Sequence, residues 1–80
     1  MSLLAELPIG SRARVRSIVG SDELSVRLME MGLTPGVEVA LVGKAPLGDP
    51  LELELRGYRL SVRRSEAARV EIESPLPAIH

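Results

Sequence analysis

The sequence contains no cysteine, a single histidine, a single aromatic residue and no long apolar run. Because its only histidine is the last residue, His80, the chain lacks the ligand sets that zinc, iron–sulfur clusters and haem require. Disulfide scaffolds are excluded too, which suits a reducing compartment. The longest apolar run, residues 39–42, is far shorter than the roughly 20 residues of a membrane span, and the first residues lack a signal-peptide pattern. We therefore expect a cytoplasmic protein without direct membrane insertion.

The charge balance argues against a nucleic-acid partner. Ten Lys and Arg face 11 Asp and Glu, for a net charge of −1, whereas nucleic-acid binders usually carry a strong basic excess. Base stacking would depend on Tyr58 alone. What the chain does contain is 45% apolar residues in 80 positions, enough for one small core and one domain.

A first strand over residues 14–19 and one helix are predicted in the first half of the chain. Ser21 or Asp22 can cap the start of the helix. Gly32 suits the left-handed position that ends a helix after Met31. Thr34-Pro35-Gly36-Val37 then has the residue types of a type II turn.

After this turn, apolar residues alternate with polar ones, which is typical of antiparallel strands with one buried face. Predicted strands begin near Val37, Leu51, Arg59 and Val70. Gly57-Tyr58 fits the centre of a type II′ hairpin turn. This turn would place Leu55 opposite Leu60, Leu53 opposite Val62 and Glu52 opposite Arg63, so that apolar residues meet on one face.

These elements predict a mainly β fold: a small five-stranded SH3-like barrel. One α-helix is inserted between strands 1 and 2, and a helical turn over residues 65–68 precedes the last strand. An OB-like barrel is the alternative, but its helix usually lies between strands three and four, where this sequence has a tight hairpin. We expect residues 1–73 to form the domain and residues 74–80, with two prolines, to form an extended tail.

No catalytic, cofactor-binding or metal-binding residues are predicted. Glu52 and Glu54 share one face of a strand, but without a nearby His or Cys they are better interpreted as a solvated face. Gly36 and Gly43-Lys44 have the wrong spacing for a phosphate loop, and Ala follows the lysine. No residue is positioned to activate a Ser or Thr nucleophile.

The arginines form two groups, one early in the chain and one around the last hairpin. A basic patch for an acidic partner is one interpretation, and a surface of mixed charge is favoured because glutamates are interspersed. The groups are Arg12, Arg14 and Arg16, and then Arg56, Arg59, Arg63 and Arg64.

The helix carries more apolar residues than its buried face needs. At 100° per residue, one apolar stripe consists of Leu24, Leu28 and Met31. Val26 and Met29 lie three positions apart on the opposite side, where polar residues are expected. Either the leucine-rich segment over residues 3–7 covers them, or they form an exposed patch that docks another protein.

Three segments together resemble one known family. They are the helix and turn RLMEMGLTPG over residues 27–36, the loop APLGDP over residues 45–50, and the last strands, with LSVR at 60–63, Glu66-Ala67 and Val70-Glu71-Ile72. This combination is similar to the FeoA family, ferrous iron transport protein A. The resemblance extends from Leu3 to about Glu73.

The resemblance implies an SH3-like barrel that acts as a small, non-enzymatic accessory of an FeoB-type ferrous iron transporter, whose cytoplasmic portion contains a GTPase domain. That GTPase domain is the expected partner, and it would recruit the protein to the inner membrane face; self-association stays open. The family is also linked to transition-metal ions, although this sequence offers no credible ligand set. The candidate partner-binding residues are Val26, Arg27, Met29, Glu30 and Tyr58. The alternative is a regulatory domain like the FeoA-like C-terminal domains of metal-dependent transcriptional regulators.

Overall fold

Six strands and three short helices make up residues 2–73, the part of the chain that the computed structural model describes. The strands are β1 (Ser2–Leu3), β2 (Arg12–Ile18), β3 (Glu38–Lys44), β4 (Leu51–Leu55), β5 (Tyr58–Val62) and β6 (Val70–Ile72). The helices are a 3₁₀-helix (Leu4–Glu6), α1 (Glu23–Glu30) and α2 (Arg64–Ala67). All strand pairs are antiparallel, in the order β1-β6-β2-β3-β4-β5.

Strand β2 connects the two halves of the sheet. Its first residues, 12–14, pair with β3, and its later residues, from Val15 to Ile18, pair with β6. The register shifts between Val15 and Ser17, and again in β3 between Leu41 and Gly43. Such irregularities bend a strand and increase its twist, which lets a short sheet curve around its own core.

Helix α1 begins and ends where its capping residues predict. The side chain of Asp22 accepts a hydrogen bond from the backbone N–H of Ser25 at 3.3 Å. At the other end Gly32 has φ +110°, and the N–H of Leu33 reaches back to the carbonyl oxygen of Leu28 at 3.1 Å. This is the hydrogen-bond pattern of a Schellman cap, so the predicted stop at Gly32 is confirmed.

The type II turn after the helix is also confirmed. Gly36 has φ +93°, and the N–H of Val37 donates to the carbonyl oxygen of Thr34 at 3.1 Å. The N–H of Gly36 donates in turn to the carbonyl oxygen of Val15 at 2.8 Å. The turn thereby ties the end of the helix connection to the sheet.

The predicted number of strands was wrong by one. Residues Ser2–Leu3 form a short strand that pairs with β6, so α1 lies between the second and third strands rather than between the first and second. Two residues are too few to show a period, so this strand left no signal in the sequence. The mainly β class, the inserted helix and the short helix before the last strand are confirmed.

The predicted register of the last hairpin was also wrong. The turn is centred on Arg56-Gly57 rather than Gly57-Tyr58, and it places Leu55 opposite Tyr58 and Leu53 opposite Leu60. Both central residues have positive φ, +50° and +83°, as a type I′ turn requires. The error moves each partner by two positions, which leaves every side chain on the predicted face.

The core is formed by one face of strands β2 to β6, by both α-helices and by the N-terminal segment, where Ala5 is also buried. Leu4 and Leu7 are fully or almost fully buried, and the 3₁₀-helix packs against α2 and β6. The other core side chains come from every strand except β1, from both α-helices and from the turn after α1: Ala13, Val15, Leu28, Leu33, Val37, Val39, Leu41, Leu51, Leu53, Leu55, Val62, Ala67, Val70 and Ile72. The expected tail, residues 74–80, lies outside the described residues. Within residues 2–73 no helix has the length and apolar character needed to cross a membrane.

Candidate docking surface on helix α1

The outward side of α1 presents two apolar side chains between charged ones. Val26 is 48% exposed and Met29 is 40% exposed, and Arg27 and Glu30 beside them are exposed as well. We call these four residues the α1 surface. This grouping was predicted from the sequence, because residues three and four positions apart share one side of a helix.

The buried side of α1 fixes the orientation of this surface. Leu28 is completely buried, and Leu24 and Met31 pack partly against the core, as the predicted stripe requires. Ser25 is buried too, and its hydroxyl donates a hydrogen bond to the carbonyl oxygen of Asp22 at 2.8 Å. The hydrogen-bonded Ser25 and the buried Leu28 fix the rotation of α1 about its own axis. This rotation turns Val26 away from the core.

The N-terminal segment does not cover the α1 surface. Leu4 and Leu7 point into the core, while Val26 and Met29 keep about half of their surface exposed. Of the two alternatives raised for this apolar pair, coverage by residues 3–7 was therefore wrong. The exposed patch is the arrangement that the structure shows.

A shallow depression lies next to Val26, at the first turn of α1. Its volume is about 390 Å³, and it is lined by Ser21, Asp22, Glu23, Val26, Arg27 and Glu30. An apolar side chain of a partner could enter it beside Val26, with the charged residues at its rim. This arrangement of an apolar centre and a polar rim is common to protein–protein interfaces.

Arg27 and Tyr58 connect the α1 surface to the rest of the domain. The guanidinium of Arg27 lies 3.6 Å from the carboxylate of Glu66 in α2, in an exposed ion pair. Tyr58, which is partly exposed, donates its hydroxyl hydrogen to the carbonyl oxygen of Met31 at the C-terminal end of the helix. Four of the five predicted partner-binding residues thus lie on α1. The fifth, Tyr58, lies in β5, and its hydroxyl makes a contact with the end of the helix that the sequence did not reveal.

The N-terminal end of α1 is fastened to the strand that follows α2. Arg69 donates to both carboxylate oxygens of Asp22, at 2.7 and 3.0 Å, and to the carbonyl oxygen of Val19 at 3.1 and 3.2 Å. The hydrogen bond from Arg69, followed by that from the Ser25 N–H, lowers the pKa of Asp22. A carboxylate held in its charged form also interacts favourably with the helix dipole.

The described residues contain no metal centre. Within residues 2–73 no three His, Cys, Asp or Glu side chains are grouped closely enough to hold a metal ion. Glu52, which was expected to face Arg63, lies opposite Ser61 instead.

Three exposed apolar residues, Ile9, Val19 and Leu47, were not singled out from the sequence. Leu47, in the loop between β3 and β4, is 95% exposed. The loop turns sharply, since the N–H of Gly48 donates to the carbonyl oxygen of Ala45 at 2.7 Å. Leu47 lies between Pro46 and Gly48, which are typical turn residues. Its position in the sequence could therefore have predicted that its side chain is exposed.

Comparison with known proteins identifies the family of this domain. The FeoA domain family model matches residues 2–74. The chain belongs to the FeoA domain family. A fusion protein of Fe(2+) transport protein A and the Fe(2+) transporter FeoB from Porphyromonas gingivalis is 36% identical over 70 residues, which are 88% of this chain and 8% of the fusion protein. The chain thus spans less than a tenth of this curated relative.

Two solved FeoA structures share the whole fold. The FeoA-like protein of Clostridium acetobutylicum is 41% identical with a TM-score of 0.86, and the match covers 100% of this chain and 96% of that one. FeoA of Stenotrophomonas maltophilia, crystallised with zinc and described as an SH3 domain protein, is 36% identical with a TM-score of 0.81, covering 92% of each chain. The SH3-like β fold expected from the sequence is confirmed.

The same fold occurs in a longer protein of low sequence identity. The cadmium-bound structure of ScaR matches with a TM-score of 0.80 at 18% identity, and the match covers 92% of this chain but 36% of that one. This likeness concerns the fold alone. The FeoA domain family is associated with ferrous iron transport, and it is a small SH3-like domain rather than a known enzyme class.

Proposed function

We propose that this FeoA domain is a non-enzymatic, cytoplasmic accessory of ferrous iron uptake that docks on the cytoplasmic GTPase portion of an FeoB-type transporter through the α1 surface. The observation that carries the proposal is the exposure of Val26 and Met29 on a helix whose opposite side is fully used by the core. Recruitment by this partner would bring the domain to the inner face of the membrane. The fused Porphyromonas gingivalis relative supports the choice of partner, because a similar domain and FeoB share one polypeptide there.

The composition of the α1 surface supports protein recognition. Two apolar side chains supply the buried centre of a contact, and Arg27 and Glu30 beside them can pair with opposite charges that fix its orientation. Single exposed apolar residues are normal on a protein surface, whereas two at helical spacing are neighbours and form one patch. Its position on a regular helix keeps the patch rigid, which lowers the entropy lost on docking.

The decisive experiment measures binding of the purified FeoB cytoplasmic GTPase domain to wild type and to Met29→Asp. A charge in the centre of an apolar contact should weaken binding about tenfold or more, with the far-ultraviolet circular dichroism unchanged. Ile9→Asp is the matched control, because Ile9 is an exposed apolar residue (57%) outside α1. Equal binding by both variants, or unfolding of Met29→Asp, would contradict the proposed surface.

A second experiment tests the role in the cell. Deletion of the gene should lower ferrous iron uptake under iron limitation, and the Met29→Asp allele should behave like the deletion while Ile9→Asp restores uptake. Unchanged uptake in the deletion strain would count against the accessory function itself, independently of the surface.

A regulatory role is the second candidate, because the ScaR fold contains a region of similar structure. In that case the domain would serve a DNA-binding protein instead of a transporter. Binding to the GTPase domain in the first experiment would favour the transporter role. A regulatory role would be favoured if the domain bound a co-encoded DNA-binding protein and left the GTPase domain unbound.

A further inference from the structure

The edge strand β5 has backbone groups that the described fold leaves unpaired. Within residues 2–73, β5 pairs only with β4 and ends the strand order. A tight turn joins Leu55 to Tyr58 by a backbone hydrogen bond, and in antiparallel strands bonded and non-bonded pairs alternate. The N–H and C=O groups of Arg59 and Ser61 therefore point away from β4, toward the open edge.

The edge strand and its flanking residues are rich in arginine. The segment over residues 56–64 contains four arginines and no Asp or Glu. None of these arginines takes part in the ion pairs of the described residues, which involve Arg12, Arg27 and Arg69. Glu54 lies opposite Arg59 in the hairpin, yet the two form no ion pair.

The nearest carboxylates beyond the end of β5 are occupied by backbone donors. Glu66 accepts from the N–H of Arg63 at 2.7 Å, and Asp49 accepts from the N–H of Arg64 at 3.0 Å. Within residues 2–73 the guanidinium groups of Arg63 and Arg64 form no ion pair with either acid.

Space for a guest chain adjoins the edge. An open cleft of about 530 Å³ lies at the end of β5, between that strand, α1 and α2. Its lining residues are Arg27, Asp49, Pro50, Ser61, Val62, Arg63 and Glu66. The cleft therefore borders β5 at Ser61, and it carries the carboxylates of Asp49 and Glu66 as well as the guanidinium groups of Arg27 and Arg63.

The two faces of β5 specify the guest. Arg59, Ser61 and Arg63 are exposed on one face, whereas Leu60 on the other face packs partly against the core. We propose that the β5 edge binds an extended segment of a partner protein in which acidic residues alternate with apolar ones, by addition of a strand to the sheet. A second copy of this chain is disfavoured as the guest, because it would bring two sets of four arginines together.

The proposal is independent of docking through α1 and is tested with a synthetic peptide. The probe is acetyl-Glu-Val-Glu-Val-Glu-Val-amide, titrated into isotope-labelled protein and followed by nuclear magnetic resonance. We expect shifts of the backbone amides of Arg59 and Ser61, slower hydrogen exchange at both, and binding that weakens as salt is added. The same peptide with lysine in place of glutamate should bind about tenfold more weakly or not at all.

Two variants separate charge from strand pairing. Arg59→Glu/Arg63→Glu should weaken binding about tenfold or more, while Arg16→Glu, an exposed arginine of β2, should change it less than about twofold. Ser61→Pro removes one outward N–H without changing charge, and an edge strand tolerates proline at such a position. It should also abolish binding, and it remains informative if the double charge reversal fails to fold. Equal binding of the acidic and basic peptides, shifts away from β5, or dimerisation of the protein through this edge would overturn the proposal.

Discussion

Arg69 and Asp22, 47 positions apart in the chain, are joined by two hydrogen bonds of 2.7 and 3.0 Å. Asp22 is also the capping residue of α1, and Arg69 immediately precedes β6. The pair therefore fastens the start of the helix to the strand that completes the sheet. Because α1 carries the proposed docking surface, this contact helps to set the direction in which Val26 and Met29 face.

The first prediction concerns the pH dependence of stability. Arg69 lowers the pKa of Asp22 in the folded state. A carboxyl whose folded pKa is below its unfolded value stabilises the fold above the unfolded value, near 3.9, and loses this effect as the pH falls through the folded pKa. Asp22→Asn retains a good helix cap without the charge. We therefore expect the variant to unfold at lower urea concentration than wild type at about pH 7, and the difference to vanish in strong acid.

The variant Arg69→Met tests whether Arg69 causes the pH-dependent difference between wild type and Asp22→Asn. In Arg69→Met protein the further substitution Asp22→Asn should lower the urea midpoint at neutral pH less than it does in the wild-type background, because only the Ser25 N–H and the helix dipole then favour the charged carboxylate. If wild type and the Asp22→Asn variant differed in stability by the same amount in acid and at neutral pH, the assignment would be contradicted.

The second prediction uses Gly32, where the chain leaves α1. Its φ of +110° disfavours any side chain, and a Cβ there would clash with the hydroxyl oxygen of Tyr58 and lie 3.3 Å from Cδ1 of Leu55. Gly36 has a similar φ, +93°, but a Cβ added there would meet no atom within 4 Å, so Gly36→Ala should cost only the backbone term, about 1–2 kcal/mol. Gly32→Ala should cost about 1–3 kcal/mol more, measured by urea denaturation. Equal costs for the two variants would show that Tyr58 does not crowd this position.

The third prediction follows from the same crowding. Tyr58→Phe removes the hydrogen bond to the carbonyl oxygen of Met31 and should lower the free energy of unfolding by roughly 0.5–1.5 kcal/mol. It also removes the oxygen that a Cβ at Gly32 would meet. The double variant Gly32→Ala/Tyr58→Phe should therefore be less destabilised than the sum of the single variants, in a double-mutant cycle of unfolding free energies. If the costs of the two single variants were additive, the hydroxyl of Tyr58 would not be the group that a Cβ at position 32 meets.

Local patterns in the sequence predicted the elements and the exposed patch because each depends on residues close together in the chain. The cap at Asp22, the stop at Gly32 and the alternation of Leu51, Leu53 and Leu55 all act within a few positions. The outward position of Val26 and Met29 follows from the rotation of one helix. The contacts of Tyr58 with Met31 and of Arg69 with Asp22 span 27 and 47 positions, and no local period encodes them.

The pairing of apolar with apolar residues was not enough to predict the register of the β4–β5 hairpin. Moving the turn by one residue changes every pair by two positions, so apolar residues still oppose apolar ones and the faces stay the same. Only the backbone conformation of the turn distinguishes the two registers. A type I′ turn needs positive φ at both central positions. Arg56 has φ +50°, which is uncommon for a residue other than glycine, so the sequence did not indicate this turn.

The fourth prediction tests this turn. Arg56 is the one non-glycine residue with positive φ in the described part of the chain, and asparagine adopts that conformation more readily. Arg56→Asn should therefore raise the free energy of unfolding by about 0.5–1 kcal/mol, measured by urea denaturation. Arg59→Asn is the matched control, since it removes the same charge from an extended position in β5, where asparagine is unfavourable and should give no gain. An equal gain in both variants would mean that relief of charge repulsion, and not the turn conformation, is the cause. Destabilisation by Arg56→Asn would contradict the prediction outright.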